Sequence, residues 1–251
     1  MSARRRLDAE LVRRGLAKSR VEARTMVESG RVLVGGAVAI KVARLVAAGE
    51  PVVVEGARPM YVGRGGEKLD HALTTFGIDV TGWVALDAGA STGGFTDCLL
   101  QRGARHVVAV DVGHGQLHER LRADERVTNV ERTNVRGVTT VVTGGPVDIV
   151  VADLSFISLT MVIGALAGVC KPGAPMVLLV KPQFEAGRAE ASRGRGVITD
   201  PTIWDRVRSE ITDALGGARC EVAAWTVSPI TGAEGNREFL VHARAPMDVD
   251  P

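Results

Sequence analysis

The sequence predicts an α/β fold: a doubly wound, mostly parallel sheet of seven strands, preceded by a small N-terminal α+β unit. Three observations lead there. Past residue 67, apolar runs of strand length alternate with helical patterns, and runs such as Val147 to Ala152 and Pro175 to Val180 suit strands buried on both faces. One such run, Trp83 to Leu86, ends in Asp87-Ala88-Gly89-Ala90-Ser91-Thr92-Gly93-Gly94-Phe95 and leads into a helix, where an α/β sheet holds a nucleotide-like ligand. Residues 1–68 carry 14 Lys or Arg against 7 Asp or Glu, whereas the rest carry 17 against 22, so a basic front adjoins an ordinary domain.

In chain order, Leu11, Leu16, Ala23 and Val27 mark two short amphipathic helices, and Val32 and Val34 the short strands after them. Ser19 and Glu22 form an S-x-x-E capping box that starts the second helix, and Gly30 ends it in a left-handed turn. Arg20 and Arg24 lie one turn apart on that helix and share a face; with Arg4, Arg6, Arg13 and Lys18 they could line a phosphate backbone. Residues 58–66, where Gly, Pro and Arg cluster, read as a short linker between a unit at 1–57 and a second at 67–251. In the second unit, strands are expected near 83–87, 106–111, 127–131, 147–153, 175–181, 220–227 and 238–243. Helices are expected near 67–77, 93–102, 116–123, 155–170 and 202–215.

Small residues fall at 89, 91 and 93, in steps of two, followed directly by Gly94. That is not the G-x-G-x-x-G of a dinucleotide site. Glycines let the backbone pass close to a ligand and the following helix offers free N–H groups, and this spacing suits S-adenosylmethionine better than NAD. Asp111 closes the next strand 24 residues after Asp87, near the roughly 20-residue offset of a ribose-binding acid. Gly89, Ser91, Gly93 and Gly94 are therefore expected around the methionine end of the cofactor, Asp111 at its ribose and Asn134 at its adenine.

Ligands of such a sheet belong at the carboxyl ends of the strands. Asp153 ends the fourth strand and Lys181 the fifth. Glu238 begins the last, which should run antiparallel, and Lys68 opens the helix before the first. Any one of these has a bland account, since strand ends meet solvent; four on one edge point to chemistry. Arg64 in the linker, Arg132 and Arg136 beside Asn134, and Arg188 in the loop 183–199 could bind RNA phosphates around the same rim.

Several classes are disfavoured. Cys98, Cys170 and Cys220 are far apart, odd in number and lack a C-x-x-C, so a reducing cytoplasm is expected rather than a disulfide frame or zinc site. His114 and His118 lack the Glu of an H-E-x-x-H site, and Gly63 to Lys68 lacks the spacing of a P-loop, so no metal is expected. Aromatic residues make up 4% of the chain, which argues against single-strand binding by stacking and for a structured RNA surface met by Arg and Lys. The longest uncharged span, 154–170, contains Ser and Thr and is expected as a core helix, not a membrane span.

The series Arg6-Leu7-Asp8, Gly15-Leu16, Ser19-Arg20, Ala23 and Gly30-x-Val32-x-Val34 resembles the S4-type RNA-binding domain over residues 5–55, which implies structured, ribosomal RNA as partner. R-G-G-E-K (64–68), D-A-G-A-S-T-G-G-F-T (87–96), A-V-D-V-G (109–113), E-R-T-N-V-R (131–136), A-D-L-S-F-I-S-L (152–159), V-K-P-Q-F-E (180–185) and G-N-R-E-F (235–239) together resemble the TlyA family across residues 4–243. That resemblance implies an FtsJ-type domain, Rossmann-like in its winding, that uses S-adenosylmethionine to methylate a ribose 2′-hydroxyl. The implied target is a cytidine of 23S, and in some members also 16S, ribosomal RNA within a ribosomal subunit. It also implies a catalytic tetrad at Lys68, Asp153, Lys181 and Glu238, the same four residues found at the strand ends.

A 2′-hydroxyl is a poor nucleophile and must meet the sulfonium methyl in line, so a positioned base is required. Lys181 is expected to take the proton, Lys68 to stabilise the negative charge on the oxygen, and the two carboxylates to orient the ammonium groups. Two further readings stay open on sequence alone: an RNA-binding ribosome-assembly factor with a vestigial methyltransferase fold, and a membrane-active haemolysin, after the family's old label.

Overall fold

The computed structural model describes residues 4–55, 60–187, 190, 196–232 and 234–247. The chain divides into two compact units, Met1–Arg58 and Pro59–Pro251. In the first, α1 (Leu7–Arg13) and α2 (Arg20–Glu28) share a core with a sheet of order β3-β2-β5, made of β2 (Val32–Val34), β3 (Ala37–Val38) and β5 (Val52–Val54). The short β1 (Arg5–Arg6) pairs antiparallel with β4 (Leu45–Val46). Ser19 caps α2 by accepting the Glu22 amide at 3.1 Å, while the Glu22 carboxylate reaches one residue further back than a capping box requires, to the Lys18 amide. Gly30 takes φ +71° just beyond the helix.

Two carboxylates lie under the arginines of this unit. Asp8, 3% exposed, accepts hydrogen bonds from Arg6 at 3.1 and 3.2 Å and from Arg20 at 2.8 Å. Glu10, 1% exposed, accepts from Arg13 at 2.6 Å and Arg14 at 2.8 Å. Arg14 also donates to the carbonyls of Ala47, Ala48 and Glu50 and so works inside the fold. The Arg6 hydrogen bond, aided by Arg20, holds the Asp8 carboxyl well below the usual range. Hydrogen bonds from Arg13 and then Arg14 hold Glu10 at about 2.

In the second unit seven strands form one sheet of order β11-β12-β10-β9-β6-β7-β8. They are β6 (Val84–Ala88), β7 (His106–Val110), β8 (Val127–Val130), β9 (Ile149–Ala152), β10 (Pro175–Val180), β11 (Glu221–Val227) and β12 (Phe239–Arg244). β12 runs antiparallel to both neighbours and the other pairs are parallel. The chain moves outward from β6 to β8 and then returns to β9, so the topological switch point lies between β6 and β9. Alternate residues fill two cores: Leu86, Val108, Val150 and Leu178 on one face, Ala85, Val107, Val151 and Leu179 on the other. The second face is covered by α3 (Gly65–Phe76) and α4 (Gly94–Gln101), through Leu69, Leu73 and Leu99. The first is covered by α7 (Ile163–Ala167) and α9 (Pro201–Gly217), through Leu166, Ile211 and Leu215. Each such buried leucine contributes roughly 1.5–3 kcal/mol.

Strand positions agree with the sequence reading to within two residues; two helices do not. The helix expected over 116–123 shrinks to α5 (Glu119–Arg122), because Gly115 takes φ +66° and Leu117 packs into the core. The span 155–170 is not one helix. A loop over 154–158 is followed by a 3-10 turn (Leu159–Met161) and the five-residue α7. Phe156 takes φ +65°, and polar bonds from Ser158 and Leu159 to Glu185 fix the loop, overriding the apolar pattern. Two short helices, α6 (Thr140–Thr143) and α8 (Pro182–Glu185), were not legible in the sequence.

A carboxyl held below its unfolded pKa contributes stability above that unfolded value and loses it as pH falls below. Asp8→Asn is therefore expected to cost the first unit about 2 kcal/mol at pH 7, with the difference from wild type shrinking as pH drops below about 4. Hydrogen exchange of α1 and α2 amides in the full-length protein reads this; equal exchange in mutant and wild type at pH 7 contradicts it.

Candidate active site

At the end of β6, Gly89 turns the chain with φ +86°, and a Cβ there would sit 2.5 Å from the Asp153 carbonyl oxygen. Gly93, φ +97°, precedes α4, and a side chain on it would overlap Leu117 and Leu121. A Cβ on Gly94 would lie 2.9 Å from the Gly66 amide nitrogen. The absent side chains thus let neighbouring segments of the protein close on the turn. Ser91, itself at φ 46°, donates its amide to Asp111 Oδ2 at 2.8 Å, and the Gly113 amide donates to Asp111 Oδ1 at 2.6 Å. Asp111 fastens the turn to the end of β7 and keeps further lone pairs for a ligand.

Beside the turn lies an open cleft of about 580 Å³, lined by Gly89, Ser91, Asp111, Val112, Gln116, Asn134, Arg136, Asp153 and the loop 154–157. Asn134 uses its side-chain oxygen to accept the Arg136 amide at 3.0 Å, which leaves its amide nitrogen for a ligand acceptor. A smaller adjoining recess of about 180 Å³ is bordered by Arg64, Gly65, Gly94, Asp153, Ser155 and Lys181. Gly93 borders neither, so its contribution is to the packing of the turn.

The four strand-end charges meet as two ion pairs. Val180 of β10 stands opposite Phe239 of β12, so Lys181 follows one strand and Glu238 precedes the other at the same edge. Lys181 Nζ lies 2.5 Å from Asp153 Oδ1 and donates a hydrogen bond to Ser155 Oγ at 3.0 Å. Lys68, in the first turns of α3, pairs with Glu238; both are buried, at 7% and 2% exposure. α3 starts close to the other pair, since a Cβ on Gly65 would be 3.5 Å from Asp153 Oδ2.

Other groups at this edge received no role from the sequence, although Asp87 and Asn236 stand within its motifs. Asp87 is fully buried; one oxygen accepts from Thr96 Oγ1 at 2.6 Å and the other has no partner among the described residues. Burial pushes its pKa up to about 7; the Thr96 bond opposes the rise and the charge of Asp153 adds to it. Asn236, also buried, bonds the Ile198 amide at 2.9 Å and the Gly196 carbonyl at 2.7 Å, tying loop 196–198 to the start of β12. Asp97 accepts from the Val62 amide and from Arg120 at 2.8 and 2.7 Å. Such long-range polar bonds have no local pattern to betray them.

The predicted RNA-facing residues divide. Arg6, Arg13 and Arg20 are anchored on carboxylates yet keep about half their side-chain surface exposed. Arg24 lies 4.0 Å from Glu28, while Arg4 and Lys18 are exposed. Arg64 donates to the Thr231 carbonyl at 2.7 Å; Arg132 is exposed at φ 53°, and Arg136 borders the cleft. Arg188 lies outside the described residues. Among the described residues no group of three or more His, Cys, Asp or Glu could hold a metal, and no helix is long and apolar enough to cross a membrane.

A seven-stranded sheet of this order, with a small-residue turn after its first strand in sequence and an acid closing the next, defines a methyltransferase that takes its methyl group from S-adenosylmethionine. Residues 61–245 match the FtsJ-like methyltransferase family and residues 5–52 the S4 domain. The chain belongs to the TlyA family of FtsJ-like methyltransferases, as its motifs implied. The Mycobacterium tuberculosis 16S/23S rRNA (cytidine-2′-O)-methyltransferase TlyA is 48% identical, over 99% of this chain and 92% of its own. Hemolysin A of Brachyspira hyodysenteriae is 38% identical over 94% of this chain and 98% of its own. A solved Streptococcus thermophilus structure, described as a hemolysin candidate, has a TM-score of 0.77 at 38% identity, covering 98% of this chain and 90% of that one.

The cleft suits that cofactor. Asp111 and Asp153 offer carboxylates to hydroxyl groups and a cationic centre, and Val112, Leu154 and Ile157 offer apolar surface to a flat base.

A carboxyl whose folded pKa lies above its unfolded value favours the fold below the unfolded pKa, and that contribution is lost as pH rises through the folded one. For Asp87 the window runs from about 4 to about 7. Asp87→Asn is expected to stabilise the protein more at pH 8 than at pH 5, by on the order of 2 kcal/mol. Thermal unfolding of both proteins at both pH values checks this, and a gain independent of pH contradicts it.

Proposed function

We propose that this protein transfers the methyl group of S-adenosylmethionine to the ribose 2′-oxygen of a cytidine in ribosomal RNA, within a ribosomal subunit in the cytoplasm. The observation that carries the reading is the pairing of Lys181 with Asp153, which border the recess beside the cleft, and of Lys68 with Glu238 at the same end of the sheet. The activity in the name of the 48% identical relative supports the choice of cytidine and ribosomal RNA. The S4 domain supports an RNA partner.

When bound, S-adenosylmethionine supplies a methyl group already activated on a sulfonium, chemistry that calls for no metal. The chain's residues bind and orient it. Asp111 accepts from the ribose hydroxyls, Asn134 meets the adenine edge, and the backbone of Gly89 and Ser91 receives the methionine end, with Gly93 and Gly94 keeping the turn tight. Lys181 Nζ, entering the step as a neutral amine, takes the proton leaving the 2′-hydroxyl as the oxygen is methylated, and Asp153 stabilises the resulting ammonium. Lys68 faces the developing negative charge on the oxygen, and Glu238 keeps its ammonium in place. Arg64, Arg132 and Arg136 bind RNA phosphates around the cleft, Arg188 of the loop 183–199 binds them too, and Arg4, Arg6, Arg13, Lys18, Arg20 and Arg24 bind them from the N-terminal unit.

The test is transfer of labelled methyl to separated 30S and 50S subunits from a strain lacking the modification, with products mapped for ribose methylation. Label on a cytidine ribose of either subunit is expected. Lys181→Ala should lower the rate about 100-fold or more while cofactor binding and folding persist; a folded variant with near-wild-type transfer overturns the assignment of the base. Absence of label on subunits and naked rRNA, with cofactor binding intact, would favour the assembly-factor reading.

A further inference from the structure

We propose that Glu185 is a positioning residue for methyl transfer: it locks the loop 154–158 against the turn that carries Lys181, so that Ser155 holds Lys181 Nζ at the recess beside the cleft. The inference rests on the methyltransferase reading above.

Loop and turn meet rung by rung. Lys181 Nζ contacts Asp153 Oδ1 at 2.5 Å and donates to Ser155 Oγ at 3.0 Å. The rings of Phe156 and Phe184 lie 5.2 Å apart. At the far end Ser158 Oγ donates to Glu185 Oε2 at 2.5 Å, and the Leu159 amide donates to Glu185 Oε1 at 3.0 Å. The middle rungs are weak by themselves. Ser155 is exposed, and Phe156 is 92% exposed in a left-handed conformation that a side chain bearing a Cβ rarely adopts. An exposed ring in an unfavourable backbone conformation stays put only when both ends of its loop are fixed.

One end is fixed by β9, through the Asp153 amide bonded to the Ala88 carbonyl at 3.0 Å. Glu185 fixes the other. It is half-buried, and both its oxygens accept bonds from the loop. Burial raises its pKa while the Leu159 and Ser158 donors oppose the rise, the signature of a carboxylate engaged in the fold. The link back to Lys181 is short: α8 is a single turn, with the Phe184 amide on the Lys181 carbonyl at 2.9 Å and the Ala186 amide on that of Pro182 at 2.9 Å. Glu185 therefore moves with Lys181, and the loop it grips returns to Lys181 through Ser155.

The experiment compares steady-state methylation of ribosomal subunits, calorimetric S-adenosylmethionine binding and hydrogen exchange for wild type, E185A, E185Q, S155A and the double variant E185A/S155A. E185A should fold, lower kcat about 10- to 30-fold and change KM for the subunit less than about 3-fold. E185Q keeps an acceptor for the Leu159 amide and a group that can bond Ser158, and should retain about a third or more of wild-type kcat. The double variant should be no slower than E185A, since both changes break one path. Wild-type kcat in E185A, equal damage in E185Q and E185A, or losses that multiply in the double variant would each overturn the proposal. If E185A fails to fold, S158A removes one rung with little loss of packing and should lower kcat about 5-fold; an unchanged rate overturns the proposal. Exchange separates the two levels of inference. A wild type that methylates neither subunit defeats the reading of function, whereas unchanged exchange of amides 155–160 in E185A defeats the clamp whatever the activity.

Discussion

The site depends on four buried backbones ending at one level. β6, β9 and β10 are hydrogen-bonded on both edges, and apolar cores cover both faces of the sheet, so a charged side chain is costly along them, and burial raises the pKa of Asp87 within β6 to about 7. The place of least cost is the end. Antiparallel β12 enters where β10 leaves, which sets Glu238 and Lys181 beside each other at the start and finish of neighbouring strands. A buried ammonium without a partner would be costly, and removing one member of such a pair typically costs about 3–5 kcal/mol. Two separate pairs give each lysine its own counter-charge, leaving Asp111, on the cofactor side, without a basic partner in any ion pair of the second unit's described residues.

Small residues hold the turn as close to that edge as the charges require. Their spacing reads naturally as a cradle for a ligand, yet the atoms nearest Gly89, Gly93 and Gly94 belong to Asp153, Leu121 and Gly66. The turn after β6, the end of β9 and the start of α3 are packed within van der Waals distance of one another. This packing places Ser91 and Asp111 on the cleft. A methyl group added at any of the three would have to displace backbone or buried leucine, a perturbation that a packed interior transmits to its neighbours.

Local pattern was enough for the strands, because a strand covered on both faces must be an apolar run, and for the placement of Asp111, Asp153, Lys181 and Glu238, because charge on such runs is least costly where they stop. It failed where tertiary polar bonds decide. Residues 155–170 look like one apolar helix, but Ser155 serves Lys181 and Ser158 serves Glu185, contacts that a continuous helix could not make. Asn236 and Asp87 stand within sequence motifs, but what each does becomes legible only from its burial and its bonds. Asp97 reaches the Val62 amide, 35 residues away, with nothing local to mark it.

The N-terminal unit shows the same rule for charge. Its basic excess reads as a polyanion surface, yet Arg14 is wholly engaged with Glu10 and three carbonyls, and Arg6, Arg13 and Arg20 each give donors to a buried acid. Those bonds reduce the formal attraction for RNA and narrow the orientations each guanidinium must lose on binding. A long side chain fixed in advance gives up less rotamer freedom when it meets a phosphate, and a guanidinium has five donors, so two on a carboxylate leave others for the ligand. Asp8 holds Arg6 and Arg20 together on one carboxylate although they come from different elements, β1 and α2. Without that shared anion the two guanidiniums would repel; with it they form one rigid, positively charged surface patch, the kind of surface the proposed contact with a structured RNA calls for.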